Sequence, residues 1–260
     1  MYFKYFTKNL KVQFTYRFNV VFKLLATLCT FFAKVMVWQA LFIGQNMISG
    51  VSLDETIFYA IASTIITALM STKIGDTLGN QIYKGMISVD FIRPIRFKKF
   101  YVSQDLSYIA HETINAAVLA IILFLFYRQI EVSISIFNFG KFIITLGLAF
   151  ILNYQLNWLF GLTSFWLQAA WHIRWITSAL IKTFSGTVVP LWFYPGWMTS
   201  ISKILPYRYI YFDPIAVLLG NGTQSFTAIC ITQSIWIIGI SIIGRIVWKK
   251  AQQKVIAQGG

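Results

Sequence analysis

Several side chains able to carry charge or donate protons lie inside strongly apolar sequence: Lys34, His111, Glu112, Asn153, Asn157 and Lys182. A charge in such a setting costs about 2.5–3.5 kcal/mol or more unless it faces protein or water, so each needs a reason. His111-Glu112 invites a metal or proton-relay reading. No H-E-x-x-H follows, and the other histidine, His172, falls in a different apolar run, so catalytic zinc chemistry lacks its ligands. The structural reading is that Glu112 balances Lys34 or Lys182 inside a helix bundle. The sharper one is that two cations in mid-run, with so little counter-charge nearby, favour an anionic or amphipathic solute, although lysine can also snorkel. Asn153 and Asn157 are four apart and share a helix face, which suits interhelical hydrogen bonds better than ligand contacts. Phosphate-loop chemistry is absent, because Gly140-Lys141 is followed by Phe142 and lacks the upstream glycine of G-x-x-x-x-G-K-[ST].

The elements that must position these groups are long apolar helices. Of the 260 residues, 57% are hydrophobic, 18% aromatic and only 12% charged. That is about half the usual charged fraction, and apolar runs of about 18 or more residues read as bilayer spans. The runs are continuous rather than alternating, which excludes a transmembrane barrel. Six spans are expected, at about 21–43, 55–71, 102–126, 139–162, 171–191 and 226–248. Together they form one all-α, polytopic transmembrane domain over 1–260. Residues 2–18 are expected to form an interfacial helix, with Phe3, Phe6, Leu10, Phe14 and Phe18 on one face beside Lys4, Lys8 and Lys11. The alternative is a solvated leader. No cleavable signal peptide is expected, since the first apolar run is too long and starts too late.

The formal charge of +14 does not point to nucleic acid, because the basic residues cluster beside span ends and no soluble stacking platform is evident. With both termini cytoplasmic, fifteen Lys and Arg fall inside and four outside, which sets an N-in, C-in topology. Cys29 and Cys230 lie in apolar runs and read as small packing residues.

Two segments stand apart from the spans. The first, Lys73–Tyr101, lies on the inner side and carries six basic residues. On a helical wheel Ile74, Leu78, Ile82 and Met86 form an apolar stripe opposite Lys73, Asp76, Thr77, Asn80 and Lys84. Gly75, Gly79 and Gly85 sit among the apolar positions, which suggests close backbone approach to a neighbour. Pro94 then ends or bends the helix. The second segment, about 192–225, lies on the outer side and holds Pro195, Pro206 and Pro214, with Gly186 and Pro190 just before it. Its pieces between the breaks stay apolar and aromatic, which reads as short helices in or along the outer interface. The plain alternatives are a positive-inside loop with a surface helix and no partner for the first segment, and an ordinary outer loop for the second.

These segments resemble the type-2 permease family of ATP-binding-cassette (ABC) exporters, in its six-span branch of roughly 260 residues. The resemblance rests on the inner amphipathic segment ending in Asp90-Phe-Ile-Arg93-Pro94, a tryptophan-rich turn, Ser185-Gly186, Pro190-Leu-Trp-Phe-Tyr-Pro195 and Leu205-Pro206-Tyr207. It implies a permease that pairs with a second, identical or related, permease and with cytoplasmic ATPase subunits that bind ATP and Mg. No cofactor is expected on this chain itself. By the same resemblance Asp76, Gly79, Gln81, Ile82, Lys84, Gly85, Asp90, Arg93 and Pro94 form a coupling segment that docks on the ATPase. Gly186, Pro190, Pro195 and Pro206 belong to an outer gate, and Lys34, Glu112, Asn153, Asn157 and Lys182 are candidate pathway residues. The expected location is the cytoplasmic (inner) membrane of a prokaryote-type cell. An ion- or proton-coupled secondary transporter, using Glu112, and a non-transporting membrane scaffold are the alternatives.

Overall fold

The computed structural model of the chain describes residues 2–15, 17–92, 97–130, 132–167, 170–222 and 224–259. Helix α1 (Tyr2–Thr15) runs beside the first half of α6 (Phe97–Phe126), with Tyr5 edge-on to Phe100 and Phe14 edge-on to His111. The aromatic face read from the sequence therefore packs partly on protein. After α2 (Arg17–Leu41) the chain makes a hairpin of two short strands, β1 (Met47–Ile48) and β2 (Val51–Ser52). Ser49 and Gly50 turn it with φ of 53° and 77°, the left-handed pair that a tight two-residue hairpin turn requires. Ser52 then starts α3 (Leu53–Leu69) with a capping box. Its hydroxyl accepts from the Glu55 N–H, and the Glu55 carboxylate accepts from the Ser52 N–H.

A 42° bend separates α3 from α4 (Ile74–Tyr83). Side chains from other helices satisfy the backbone at this break. Asn153 Nδ2 donates to the Met70 carbonyl at 2.7 Å, and Asp105 accepts from the Lys73 N–H at 2.8 Å and from the Thr72 hydroxyl. The apolar stripe was expected to continue to Met86, but α4 stops at Tyr83. The Gly85 N–H bonds the Ile82 carbonyl and the Met86 N–H bonds the Gln81 carbonyl, with Gly85 at φ 68°. This is a Schellman stop, so Gly85 serves the turn rather than helix packing, and Met86 is exposed. A short α5 (Ile87–Ile92) follows.

Helix α7 (Ile136–Thr163) is the hub of the bundle, packed against α4, α10 (Phe212–Leu219) and α11 (Phe226–Gly259). Helix α8 (Ala170–Phe184) ends seven residues earlier than the expected fifth span, since Gly186 turns the backbone to φ 80°. A single 3-10 turn (Leu191–Phe193), α9 (Gly196–Ile204) and α10 make up the broken outer segment. Among the described residues, four helices are long and apolar enough to cross a bilayer: α2 from Phe18, α6, α7 and α11 to Gln253. The bent pair α3–α4 qualifies as a fifth if taken as one span. With 15 residues, α8 reaches about 22 Å at 1.5 Å per residue, short of a hydrocarbon core of roughly 30 Å. The fold is all-α and polytopic, with four to five helices of spanning size where six apolar runs were read.

Where α4 crosses α7 the two backbones come close together. A Cβ on Gly75 would lie 2.7 Å from the Asn157 carbonyl oxygen, and one on Gly161 would lie 2.9 Å from the Gly75 Cα. In lipid, where apolar burial drives little helix association, such backbone proximity supplies dispersion contact that larger side chains would prevent. Gly147, also on α7, has nothing within 4 Å of its would-be Cβ. Gly75→Val is expected to destabilise the chain by about 1–3 kcal/mol. Gly147→Ala is expected to be neutral or to stabilise by up to about 1 kcal/mol. Unfolding titrations of the two variants in mixed micelles check the contrast.

Candidate functional site

The bend after α3 opens a cavity of about 590 Å³, walled by α2, α3, α4, α7, α8 and the Thr187–Val188 connection. Four of the candidate pathway residues line it: Lys34, Asn153, Asn157 and Lys182. Asp76, from the candidate coupling segment, lines it too. Lys34 is half-buried, and its ammonium donates to the Thr187 carbonyl at 3.0 Å. Asn153 spends its amide on the end of α3, while Asn157 donates back to Asn153 at 2.9 Å. Both asparagines thus hold structure and also face the cavity. From Asn153 to Ser164 the cavity follows α7 for eleven residues, about 16 Å.

Two positions give the cavity a direction. Tyr59, eleven residues before Met70 on α3, donates its hydroxyl to the Gly186 carbonyl at 2.9 Å and so anchors the Thr187 end. Gly75 and Asp76 lie at the other end, past Met70. The lysines and the aspartate are therefore at opposite ends of the cavity.

Glu112 is elsewhere. It was expected to balance Lys34 or Lys182, but it pairs with Lys23 and lies in a second cavity of about 320 Å³ with Lys73, Tyr108, His111 and Asn115. The reason is register. Parallel packing of α1 on α6 brings Glu112 level with the start of α2, and Lys34 is a further eleven residues along, about 16 Å. His111 is buried against Phe14, within 3.3 Å of the Asn115 amide and 3.7 Å of Glu112.

The remaining coupling candidates divide by face. Gly79 is buried beside Leu78, Ile82 is half-buried, and Gln81 contributes its carbonyl to the α4 stop. Lys84 and Gly85 are exposed, together with Tyr83 and Met86. Asp90 is buried and accepts from the Tyr101 hydroxyl at 2.6 Å. Arg93 and Pro94 lie outside the described residues. In the outer segment, Gly186 and Pro206 are buried. Pro190 opens the 3-10 turn, and Pro195, exposed, opens α9.

Sequence reading missed the groups that hold this outer segment. Arg208 and Asp213 are 2% and 1% exposed and form two parallel hydrogen bonds of 3.0 and 2.7 Å. Gln233 of α11, fully buried, donates to the carbonyls of Thr145 and Tyr209. Asn221 donates to Glu55 at 2.7 Å, which ties the end of α10 to the cap of α3. A charge five residues before a carboxylate in an aromatic run was the available signal for the first pair. Nothing in the sequence marks Gln233.

Long apolar helices around a solute-sized, partly open cavity lined by charged and polar side chains define a polytopic membrane protein. Residues 28–259 match the family described as ABC-2 family transporter protein. Since that match spans most of the chain, the protein belongs to the ABC-2 transporter family. Among curated proteins none matches it.

Arg208→Leu leaves Asp213 buried without its partner and is expected to cost about 3–5 kcal/mol. The double variant Arg208→Leu/Asp213→Leu is expected to recover most of that loss, because no charge remains to be desolvated. A double-mutant cycle of unfolding free energies in micelles measures the difference.

Proposed function

We propose that the chain is the transmembrane permease subunit of an ABC exporter, forming the translocation pathway and driven by a separate cytoplasmic ATPase subunit. Family membership supports transport, and the sequence carries no phosphate loop with which to hydrolyse ATP itself. The observation that carries the coupling reading is the two-sidedness of α4 and its turn. Gly75 and Asp76 form part of the cavity wall, whereas Tyr83, Lys84, Gly85 and Met86 face outward on the same short unit. A push on the exposed turn moves the cavity wall through a helix locked to α7 by two glycines. That is a physical route from ATP-driven closure of a partner to alternating access.

The strong inward bias of basic residues supports placing that turn in the cytoplasm, with six membrane passes and both termini inside. In that topology α3 crosses alone and α8 crosses with the Ser185–Val189 stretch added to its length. The broken outer segment then closes the far end of the pathway as a gate. A second permease, identical or related, completes the transporter, ATP and Mg belong to the ATPase subunits, and the assembly works in export across a prokaryote-type inner membrane. Glu112, the group read from the sequence for a proton-coupled mechanism, is engaged with Lys23 outside the main cavity.

Co-expression with its ATPase is expected to yield a stable complex whose ATP hydrolysis depends on both chains. Tyr83→Ala combined with Lys84→Glu is expected to weaken that association roughly tenfold or more without changing membrane insertion or melting. A chain that transports with no ATPase bound overturns the proposal.

A further inference from the structure

We infer that the main cavity takes an amphipathic solute with an anionic head, a carboxylate or phosphate, seated between Lys34 and Lys182. This rests on the reading of that cavity as the translocation pathway and names the chemistry it accepts.

Charge accounting is the first support. Lys34 and Lys182 line one cavity, and among the described residues no carboxylate pairs with either. The glutamate that could have compensated them is bound to Lys23 in a separate cavity. Asp76 is the carboxylate on this lining, and it lies at the opposite end, past Met70. Lys34 is half-buried, whereas Lys182 lines the cavity but is exposed; the cost of an uncompensated cation, which a bound anion removes, therefore falls on Lys34, and Lys182 adds a second attractive charge.

Donor geometry is the second. An ammonium has three N–H donors; Lys34 uses one on the Thr187 carbonyl, which holds the side chain in place and leaves two for an oxyanion. Lys182 precedes Thr187 by five residues, so the same connection that orients Lys34 also carries the second cation to this end. The third support is the remainder of the wall. Phe160, Ile181 and Val188 give it an apolar flank suited to a hydrocarbon tail. The Lys34 end of the cavity is the Thr187 end, so a head bound there lies toward the outer segment.

Saturable binding of radiolabelled decyl phosphate to the whole chain in phosphatidylcholine vesicles tests this, with no ATPase present. Decanoate is expected to compete, while decyltrimethylammonium is expected not to. Lys34→Gln and Lys182→Gln are each expected to weaken binding about tenfold, the effect of losing a charge-assisted hydrogen bond. Lys34→Arg is expected to retain it. If a glutamine variant does not fold, the competition on the unaltered chain still decides. Displacement by added phosphatidylglycerol identifies the occupant as a bilayer lipid head, and its failure to displace identifies a free solute; either source carries the inferred head. Equal competition by the cationic amphiphile, or unchanged binding in both folded glutamine variants, overturns the inference. Since no ATPase is involved, binding without ATP coupling sinks only the permease reading, and coupled transport without decyl phosphate binding sinks only the anionic head.

Discussion

The crossing of Gly75 over Gly161 is the contact on which the rest of the structure depends. It brings the backbone of α4 against that of α7 with no side chain between them, which only glycine at both positions permits. Because α7 also carries α10 and α11, a short helix at one end of the bundle becomes continuous with the packing at the other. The crossing also places Gly75 and Asp76 on the cavity wall. Without it α4 would be a surface helix that happened to follow a span, and the cavity would lose one side.

A second constraint governs the outer segment. Backbone away from water has to find its hydrogen bonds inside the protein, and the stretch from Ser185 to Asn221 is too broken to bond only with itself. Helix side chains bond its backbone, Tyr59 on the Gly186 carbonyl and Gln233 on that of Tyr209, while Glu55 accepts from the Asn221 side-chain amide. Tyr194 adds a hydrogen bond to the Thr183 carbonyl at 2.7 Å. The buried Arg208–Asp213 pair fixes the turn into α10. The segment from Tyr207 to Leu219 is buried throughout.

Charge inside the bundle is sorted rather than neutralised in place. The carboxylate of Glu112 satisfies a lysine near the start of α2 and is held in a pocket with Tyr108 and His111. Lys34, half-buried, and Lys182, exposed, are left lining the larger space. Had Glu112 paired with Lys34, the cavity would be nearly neutral. Its separation leaves Lys34 and Lys182 without a paired carboxylate among the described residues.

The amino-acid sequence alone determined the class: apolar run length demands helices that cross a bilayer, and the chemistry of a membrane forbids almost everything else. It also located the breaks, since proline and glycine act locally, and it singled out Lys34, Lys182, Asn153 and Asn157 because polar groups in apolar runs are conspicuous. Local rules did not reach helix length where the chain bends. A run of apolar residues looks the same whether it is one helix or a helix and a turn, so α8 ended early and α4 stopped at a Schellman turn. Which polar groups meet was decided only by tertiary structure. Partnership depends on the register between helices far apart in sequence, and sequence periodicity reports the face of a residue but not its depth. That is why Glu112 found Lys23, why Gln233 went unmarked, and why the glycines of α4 could be seen to meet a neighbour without revealing that the neighbour was α7.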